Sequence, residues 1–438
     1  MNGITFALVS LILFFSFQSF TGDLDSLTGI RNRNNFMAEL LLRVGSRQPI
    51  QIILVSLNSF SDINLRYGHK TGDAILYEVA RYLDHLHPDG RAFRTSNLTF
   101  ALTLPQKNPQ LSEERLQTIQ SRFQEPWILG DLSIRLSCSM AEIVYDGGSS
   151  TAGEVVEQLQ YTLALSKKEK RLVRFDDSLS YHMRHRQDLI ELMQRAVKEH
   201  RFQVWYQPIY SCSDNMCNSA EALLRLNDYE GVSIAPDVFI PLAEETGLIE
   251  ELTWVVLDEV CQLLSSDCVP ELKTVSINLS MQQLQDLQLA EKIQHFLTRY
   301  QIAPSCLKIE ITERFLLHDA QYAQRQLSAL NDIGVQIYMD DFGTGYSNFA
   351  NVLDYPFAII KLDRSLTLHA LDDRRADLMV QTLLSLFHRM EKRVVVEGVE
   401  TEQLAAYLKN YGADMLQGFY YARPMPQSNL IAFFENQK

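Results

Sequence analysis

The sequence predicts an α/β chain of two domains, the second a (β/α)8 TIM-like barrel and the first a smaller α+β unit. Three observations carry this reading. The chain has 438 residues, more than one core usually organises. From Phe202 onward, eight short apolar runs alternate with long amphipathic stretches, the rhythm of a barrel of strands wrapped in helices. Ahead of them, residues 23–176 mix period-two strands and helices without that regular alternation.

Ile4–Phe20 carries no charge and is mostly apolar, and its seventeen residues reach the lower edge of a membrane-spanning helix. Neither a basic leader nor a small-residue cleavage site marks it as a signal peptide. The first basic residues, Arg31 and Arg33, follow it, which keeps the rest of the chain on the cytoplasmic side. Residues 1–22 are therefore expected to form a membrane tether. A helix buried against the next domain is the alternative.

In residues 23–176, Ile52–Leu57 reads as a buried strand, and Ile75, Val79 and Leu83 line one face of a following helix. Phe100–Leu104 and Leu132–Cys138 are further strands, and basic Lys167–Arg171 closes the unit. The boundary falls near 176–182, with no Pro/Gly linker. Leu189, Leu192, Met193, Ala196 and Val197 then recur at helical spacing and open the second domain, 182–438.

The barrel strands are expected at Val204–Ile209, Ala220–Leu226, Thr274–Leu279, Leu307–Ile311, Val335–Asp340, Ala358–Leu362, Arg393–Glu397 and Met415–Phe419. Helices are expected at Leu248–Leu264, Leu284–Tyr300, Ala320–Ile333, Arg374–Arg389 and Glu402–Tyr411. No glycine-rich nucleotide loop follows the first strand, which argues against an open doubly wound sheet.

Asp340 and Asp341 end the fifth strand. Neighbouring residues on a strand point to opposite faces, so two adjacent acids share a site only if the backbone is leaving the strand, as Gly343 and Gly345 permit. Alone, the pair reads equally well as two solvated acids. Other strands end alike: Glu221, Asn278, Glu310 with Glu313, Glu397 with Glu400, and Gln417, while Lys361 adds one cation. At the C-terminal mouth of a barrel these groups converge. Unneutralised they repel, whereas Mg²⁺ or Mn²⁺ prefers such oxygen ligands. His318 and His369 follow strands rather than end them, which disfavours zinc.

The net charge of −14 opposes binding to nucleic acid but not to a small anion beside a metal. Cys138, Cys212, Cys217, Cys261, Cys268 and Cys306 form no CxxC pair. Free thiols are expected, although Cys212 and Cys217 could close a small loop.

Two resemblances cover most of the chain. Asp25-Ser-Leu-Thr-Gly-Ile-Arg-Asn-Arg33 and Gly68-His-Lys-Thr-Gly-Asp73 resemble segments of a GGDEF diguanylate cyclase domain, which implies a central antiparallel sheet. The family's namesake turn is replaced by Ser96-Asn97-Leu98-Thr99-Phe100, and Ser56 stands at a metal-acid position. His87 and Gly90 stand at the inhibitory-site positions. The resemblance therefore implies a degenerate domain without cyclase activity, in a regulatory or dimerising role. Asn64 and Asp73 match guanine-contacting positions, which implies weak guanine-nucleotide binding or remnant surface residues.

Residues 202–426 resemble an EAL domain, the cyclic di-GMP phosphodiesterase family. The motifs fall in order: Gln207-Pro-Ile209, Glu221-Ala-Leu-Leu-Arg225, Ser276-Ile-Asn-Leu-Ser280, Glu310-Ile-Thr-Glu313, Asp340–Ser347, Lys361, Glu397-Gly-Val-Glu400 and Gln417-Gly-Phe419. The resemblance implies hydrolysis of cyclic di-GMP to linear pGpG with two Mg²⁺ or Mn²⁺ ions. Glu221, Asn278, Glu310 and Asp340 would hold one ion, and Asp340, Asp341 and Glu397 the other. Lys361 would act with them on the water, with Glu313 and Glu400 in support and Glu313 anchoring the Gly343–Ser347 loop. Gln207, Leu223, Arg225 and Gln417 would meet the substrate. It also implies a homodimer through this domain; the tether expected from the apolar run 4–20 would lie in the inner membrane. A non-catalytic cyclic di-GMP receptor signalling to a protein partner is the alternative. One departure is Ser211–Ser219, a lengthened first connection expected to reshape one rim of the site.

Overall fold

Ile50–Leu57 is buried at every position and takes the centre of the first sheet. The computed structural model describes residues 24–86, 90–105, 109–266, 268–280, 282–312, 320–344, 352–353 and 355–436. The chain divides into two units, through Gln187 and from Asp188, and the helix Asp177–Lys198 runs across the division. No helix among the described residues is long and apolar enough to cross a membrane, and residues 4–20 lie outside them.

In the first unit, Thr99–Pro105 and Cys138–Tyr145 flank Ile50–Leu57 in antiparallel register, and Arg91–Arg94 extends the sheet beyond Thr99–Pro105. The short edge strands Arg31–Asn32 and Val173–Arg174 pair in parallel, completing six strands. The sequence run Leu132–Cys138 splits in two: Leu132–Ile134 pairs with Trp127–Leu129 in a separate hairpin, and Cys138 begins a sheet strand. A capping box at Thr151 and Glu154 starts the helix Ala152–Glu169.

The second unit is a closed eight-stranded barrel. Its strands are β1 (Gln203–Ser211), β2 (Met216–Asn227), β3 (Thr274–Asn278), β4 (Leu307–Thr312), β5 (Gln336–Phe342), β6 (Phe357–Leu362), β7 (Arg393–Val396) and β8 (Met415–Leu416). From β2 to β8 neighbouring strands are parallel. β1 closes the ring antiparallel to both β2 and β8. The cause is length. Only residues 212–215 join β1 to β2, enough for a hairpin but far too few for a parallel crossover.

This overturns the expectation for Ser211–Ser219. The hairpin lies at the end of the barrel where the parallel strands begin, because Cys212 N donates to Asp414 O and Asp214 pairs with Lys273, each just ahead of a strand. It is remote from the mouth. Inside the barrel, Ile209, Tyr338, Ile359, Val395 and Met415 form an apolar layer. Two residues nearer the mouth stand Gln207, Asp340 and Lys361 on their strands, hence on the same face, and Glu397 and Gln417 just past the ends of β7 and β8. In β1 the step runs backward along the chain, as its reversed direction requires. All six cysteines are free.

Candidate metal centre

Asp340 and Asp341 share one site through a bulge in β5. Met339 pairs with Ile360 and Phe342 with Leu362, so the two acids together oppose the single residue Lys361. Two residues against one is a β-bulge, which bends the strand and re-aims its side chains. Asp341 itself takes the left-handed conformation, φ 57°, which Asp tolerates better than most residues. The strand thus departs at the acids themselves, ahead of the glycines to which the sequence pointed. Asp340, Asp341 and Glu397 each offer a carboxylate oxygen within 4.8 Å of the others.

Lys361 is the hub. Its side chain is 1% exposed, and Nζ lies 2.6 Å from Glu310, 2.7 Å from Glu397, 3.1 Å from Asp340 and 3.3 Å from Glu221. Asn278 donates to Glu221 at 2.9 Å, and Gln417 Nε2 reaches Glu221 at 2.7 Å and Gln207 at 3.2 Å. Gln207 in turn donates to Ala422 O at 3.2 Å.

Crowding sets the protonation of these groups. Burial, followed by repulsion from Glu221 and Asp340, holds Glu310 well above the usual carboxylate range against the pull of Lys361. Burial, with Asp340 and Glu221 nearby, pushes Glu397 up to about 7 despite Lys361. Burial and Asp340 also raise Asp341. For Glu221, burial is outweighed by Lys361 and by the hydrogen bonds from Gln417 and Asn278, which hold it low. Lys361 is held well above its usual value against burial by the four carboxylates.

A divalent cation fits these donors. They are all oxygen, the set that Mg²⁺ and Mn²⁺ prefer. Glu310 Oε1 is buried without a hydrogen-bond partner, and Asp340 Oδ1 accepts no hydrogen bond although it lies 3.1 Å from Lys361 Nζ. Fully ionised, the five carboxylates would exceed the one ammonium by four negative charges, the charge that two divalent cations would balance.

Beside this cluster a cavity of about 250 Å³ is lined by Gln207, Glu221, Leu223, Glu397, Glu400 and Gln417 from the sequence reading, and by Arg364 and Phe419, which that reading missed. Arg364 pairs with Glu400 at 2.7 Å. Its signal was a cation three positions past Lys361, beyond a barrel strand. Half-exposed Phe419 carries the Arg423 guanidinium 4.1 Å from its ring centroid. Arg225 does not line the cavity. It donates to Leu224 O and lies 5.6 Å from the Trp205 ring centroid. Glu313 and Gly345–Ser347 fall outside the described residues, so the anchoring of that loop does too.

In the first unit, Thr99 Oγ1 donates to Ser56 Oγ at 3.1 Å, both residues buried. His87 lies outside the described residues.

Comparison with known proteins places both units in families. The EAL domain family model matches residues 191–424, and the model described as diguanylate cyclase, GGDEF domain, matches residues 23–172. The bifunctional diguanylate cyclase/cyclic di-GMP phosphodiesterase MucR of Pseudomonas aeruginosa is 28% identical over 93% of this chain and 61% of its own. An uncharacterized signaling protein of Caulobacter vibrioides is 30% identical over 92% of this chain and 51% of its own. The chain thus spans between half and two thirds of the length of these curated relatives. A solved structure of the PaMucR phosphodiesterase in complex with c-di-GMP is 33% identical, with a TM-score of 0.53, over 56% of this chain and 99% of that one. The S helix–GGDEF–EAL portion of Vibrio cholerae LapD, bound to c-di-GMP, is 17% identical with a TM-score of 0.56 over 94% of this chain and 98% of its own, a likeness of fold alone.

Proposed function

Because this chain belongs to the EAL domain family, with a GGDEF domain ahead of the barrel, we propose that it hydrolyses cyclic di-GMP to linear pGpG using two divalent cations. The observation that carries the reading is the convergence of Glu221, Glu310, Asp340, Asp341 and Glu397 beside an open cavity. Asp340, Asp341 and Glu397 would hold one ion, and Glu221, Asn278 and Glu310, with Asp340 bridging, the other. When bound, such a pair supplies Lewis acidity and a water acidic enough to attack phosphorus near neutral pH.

The chain's own groups do the remainder. Gln207, Leu223 and Gln417 shape the cavity that receives the dinucleotide. Arg364, held by Glu400 at the same cavity, offers a cation to a substrate phosphate. Gln417 and Asn278 fix the Glu221 carboxylate. Hydrolysis opens one phosphodiester of the ring and leaves the other intact.

The GGDEF domain acts here as a regulatory or dimerising module without cyclase activity. Support comes from the Thr99–Ser56 hydrogen bond, in which two neutral hydroxyls satisfy each other where the family places metal-binding acids. Asn64 and Asp73 remain for weak guanine-nucleotide binding. The barrel is further proposed to pair with a second copy, which the exposure of Leu368 and Leu378 supports, and residues 4–20 to tether the chain to the inner membrane.

The test incubates the purified full chain with cyclic di-GMP and Mg²⁺ or Mn²⁺ and separates products by chromatography. Linear pGpG supports the proposal. Tight binding without product under either metal points to a receptor instead. Cyclic di-GMP made from GTP would overturn the reading of the first domain.

A further inference from the structure

We propose that Lys361 is the resident counter-ion of the metal-free site, and that divalent cations bind by taking over the carboxylates it holds. The inference rests on the metal-site reading above but not on the reaction. Four acids from four strands, Glu221 on β2, Glu310 on β4, Asp340 on β5 and Glu397 just past β7, lie within 3.3 Å of one buried Nζ. An ammonium has three protons to give. Four carboxylates oversubscribe it, and its charge neutralises only one of them.

The oxygens that face Nζ, Glu221 Oε2, Glu310 Oε2, Asp340 Oδ1 and Glu397 Oε1, cannot serve both cations in this arrangement. Ligand oxygens lie about 2.0–2.2 Å from a small divalent ion. An ion bound to carboxylates already 2.6–3.3 Å from Nζ would sit against the ammonium with little shielding. Lys has a flexible four-carbon stem, so Nζ can withdraw from the shared oxygens while the strands stay in place. Lys361 therefore keeps the acids gathered before metal arrives, at the cost of weaker metal binding.

The full chain carrying Lys361→Met or Lys361→Gln tests this, with Mn²⁺ alone as the probe. Thermal melts are recorded in EDTA and in saturating Mn²⁺, and Mn²⁺ affinity is read by calorimetry without nucleotide. In EDTA the barrel transition should fall by about 5 °C or more. Saturating Mn²⁺ should close most of that gap, and both variants should bind Mn²⁺ at least about tenfold more tightly than the native chain. A variant that folds only when Mn²⁺ is present also supports the proposal, because the metal then replaces the missing charge. Unchanged or weaker Mn²⁺ affinity overturns it, as does a variant that folds in neither condition. A native chain that binds no divalent ion would instead sink the metal site itself.

Discussion

Replacing Asp341 separates its backbone role from its charge. Its left-handed φ of 57° is what lets β5 bulge and place two consecutive acids against Lys361. Asn adopts this conformation readily, whereas a residue with only a Cβ gains no local hydrogen bond to offset about 1–2 kcal/mol. Asp341→Ala should therefore be less stable than Asp341→Asn by that amount. In a barrel unit of this size, each kcal/mol moves the midpoint by about 2–4 °C, so the two variants should melt about 2–8 °C apart in EDTA. Their shared loss of charge predicts a second effect. Burial and Asp340 raise the Asp341 carboxyl, so ionisation there opposes folding as pH rises through the raised value. Asp341→Asn should thus melt above the native chain in EDTA at pH 7, yet gain less from added Mn²⁺. Differential scanning fluorimetry with and without Mn²⁺ reads both effects. Coincident Ala and Asn midpoints would refute the backbone argument, and a native-sized Mn²⁺ shift in Asp341→Asn would refute its place as a ligand.

Asp340→Asn should lower turnover of cyclic di-GMP by more than about 100-fold, and a near-native rate of pGpG formation would remove Asp340 from the bridging position. In Gly418→Ala the new Cβ would lie 2.1 Å from Val399 O and 2.3 Å from its N. Val399 N donates to Gln417 O at 3.0 Å, so the loop carrying Gln417 must shift. A loss of about 1–3 kcal/mol with a raised KM is expected, and native values for both would contradict the close approach. Asp25 accepts from Thr28 N at 2.8 Å, Thr28 Oγ1 at 2.6 Å and Arg94 at 2.9 Å. Although burial pushes its carboxyl up, these bonds outweigh it and hold the pKa below 3.8. Its stabilisation is present above that pH and is lost as pH falls through the lowered value. Asp25→Asn should cost the first domain about 1–2 kcal/mol at pH 7. Urea unfolding between pH 5 and pH 3 should show the gap to the native chain closing toward the acid end, and a constant gap would show that its charge plays no part.

The barrel was legible because most strands are apolar runs that carry an acid or amide toward the mouth, with Lys361 in that place on β6, and burial on both faces forces the apolar pattern. Glu221, Glu310, Asp340 and Glu397 announce themselves in this way. The direction of β1 was less visible, since a strand looks the same read either way. The short run 212–215 held the answer, because hairpins and crossovers differ in the length they need. Leu284–Tyr300 reads as one amphipathic helix but breaks, with a short turn at Gln283–Gln285 and a helix from Leu289. There Asp286 Oδ1 accepts from Gln288 N at 2.9 Å, a local bond that competes with the helix. Arg364 escaped notice because a basic residue after a strand resembles ordinary surface. The convergence of four acids on Lys361 depends on barrel closure and has no local signature.

The hairpin between β1 and β2 leaves the molecule with two ends that answer to different pressures. At the mouth, Gly398 and Gly418 leave no room for a Cβ, so the chain there is fixed in length and composition. At the opposite end, exposed Asp214 is held by side-chain contacts, to Lys273, Asn218 and Ser213 through its carboxylate and to Ser211 Oγ through its backbone N–H. A peptide epitope or a fluorescent reporter spliced beside Asp214 would therefore disturb local contacts and leave the carboxylate cluster untouched. That makes the turn a natural attachment point for following this protein while its site stays intact.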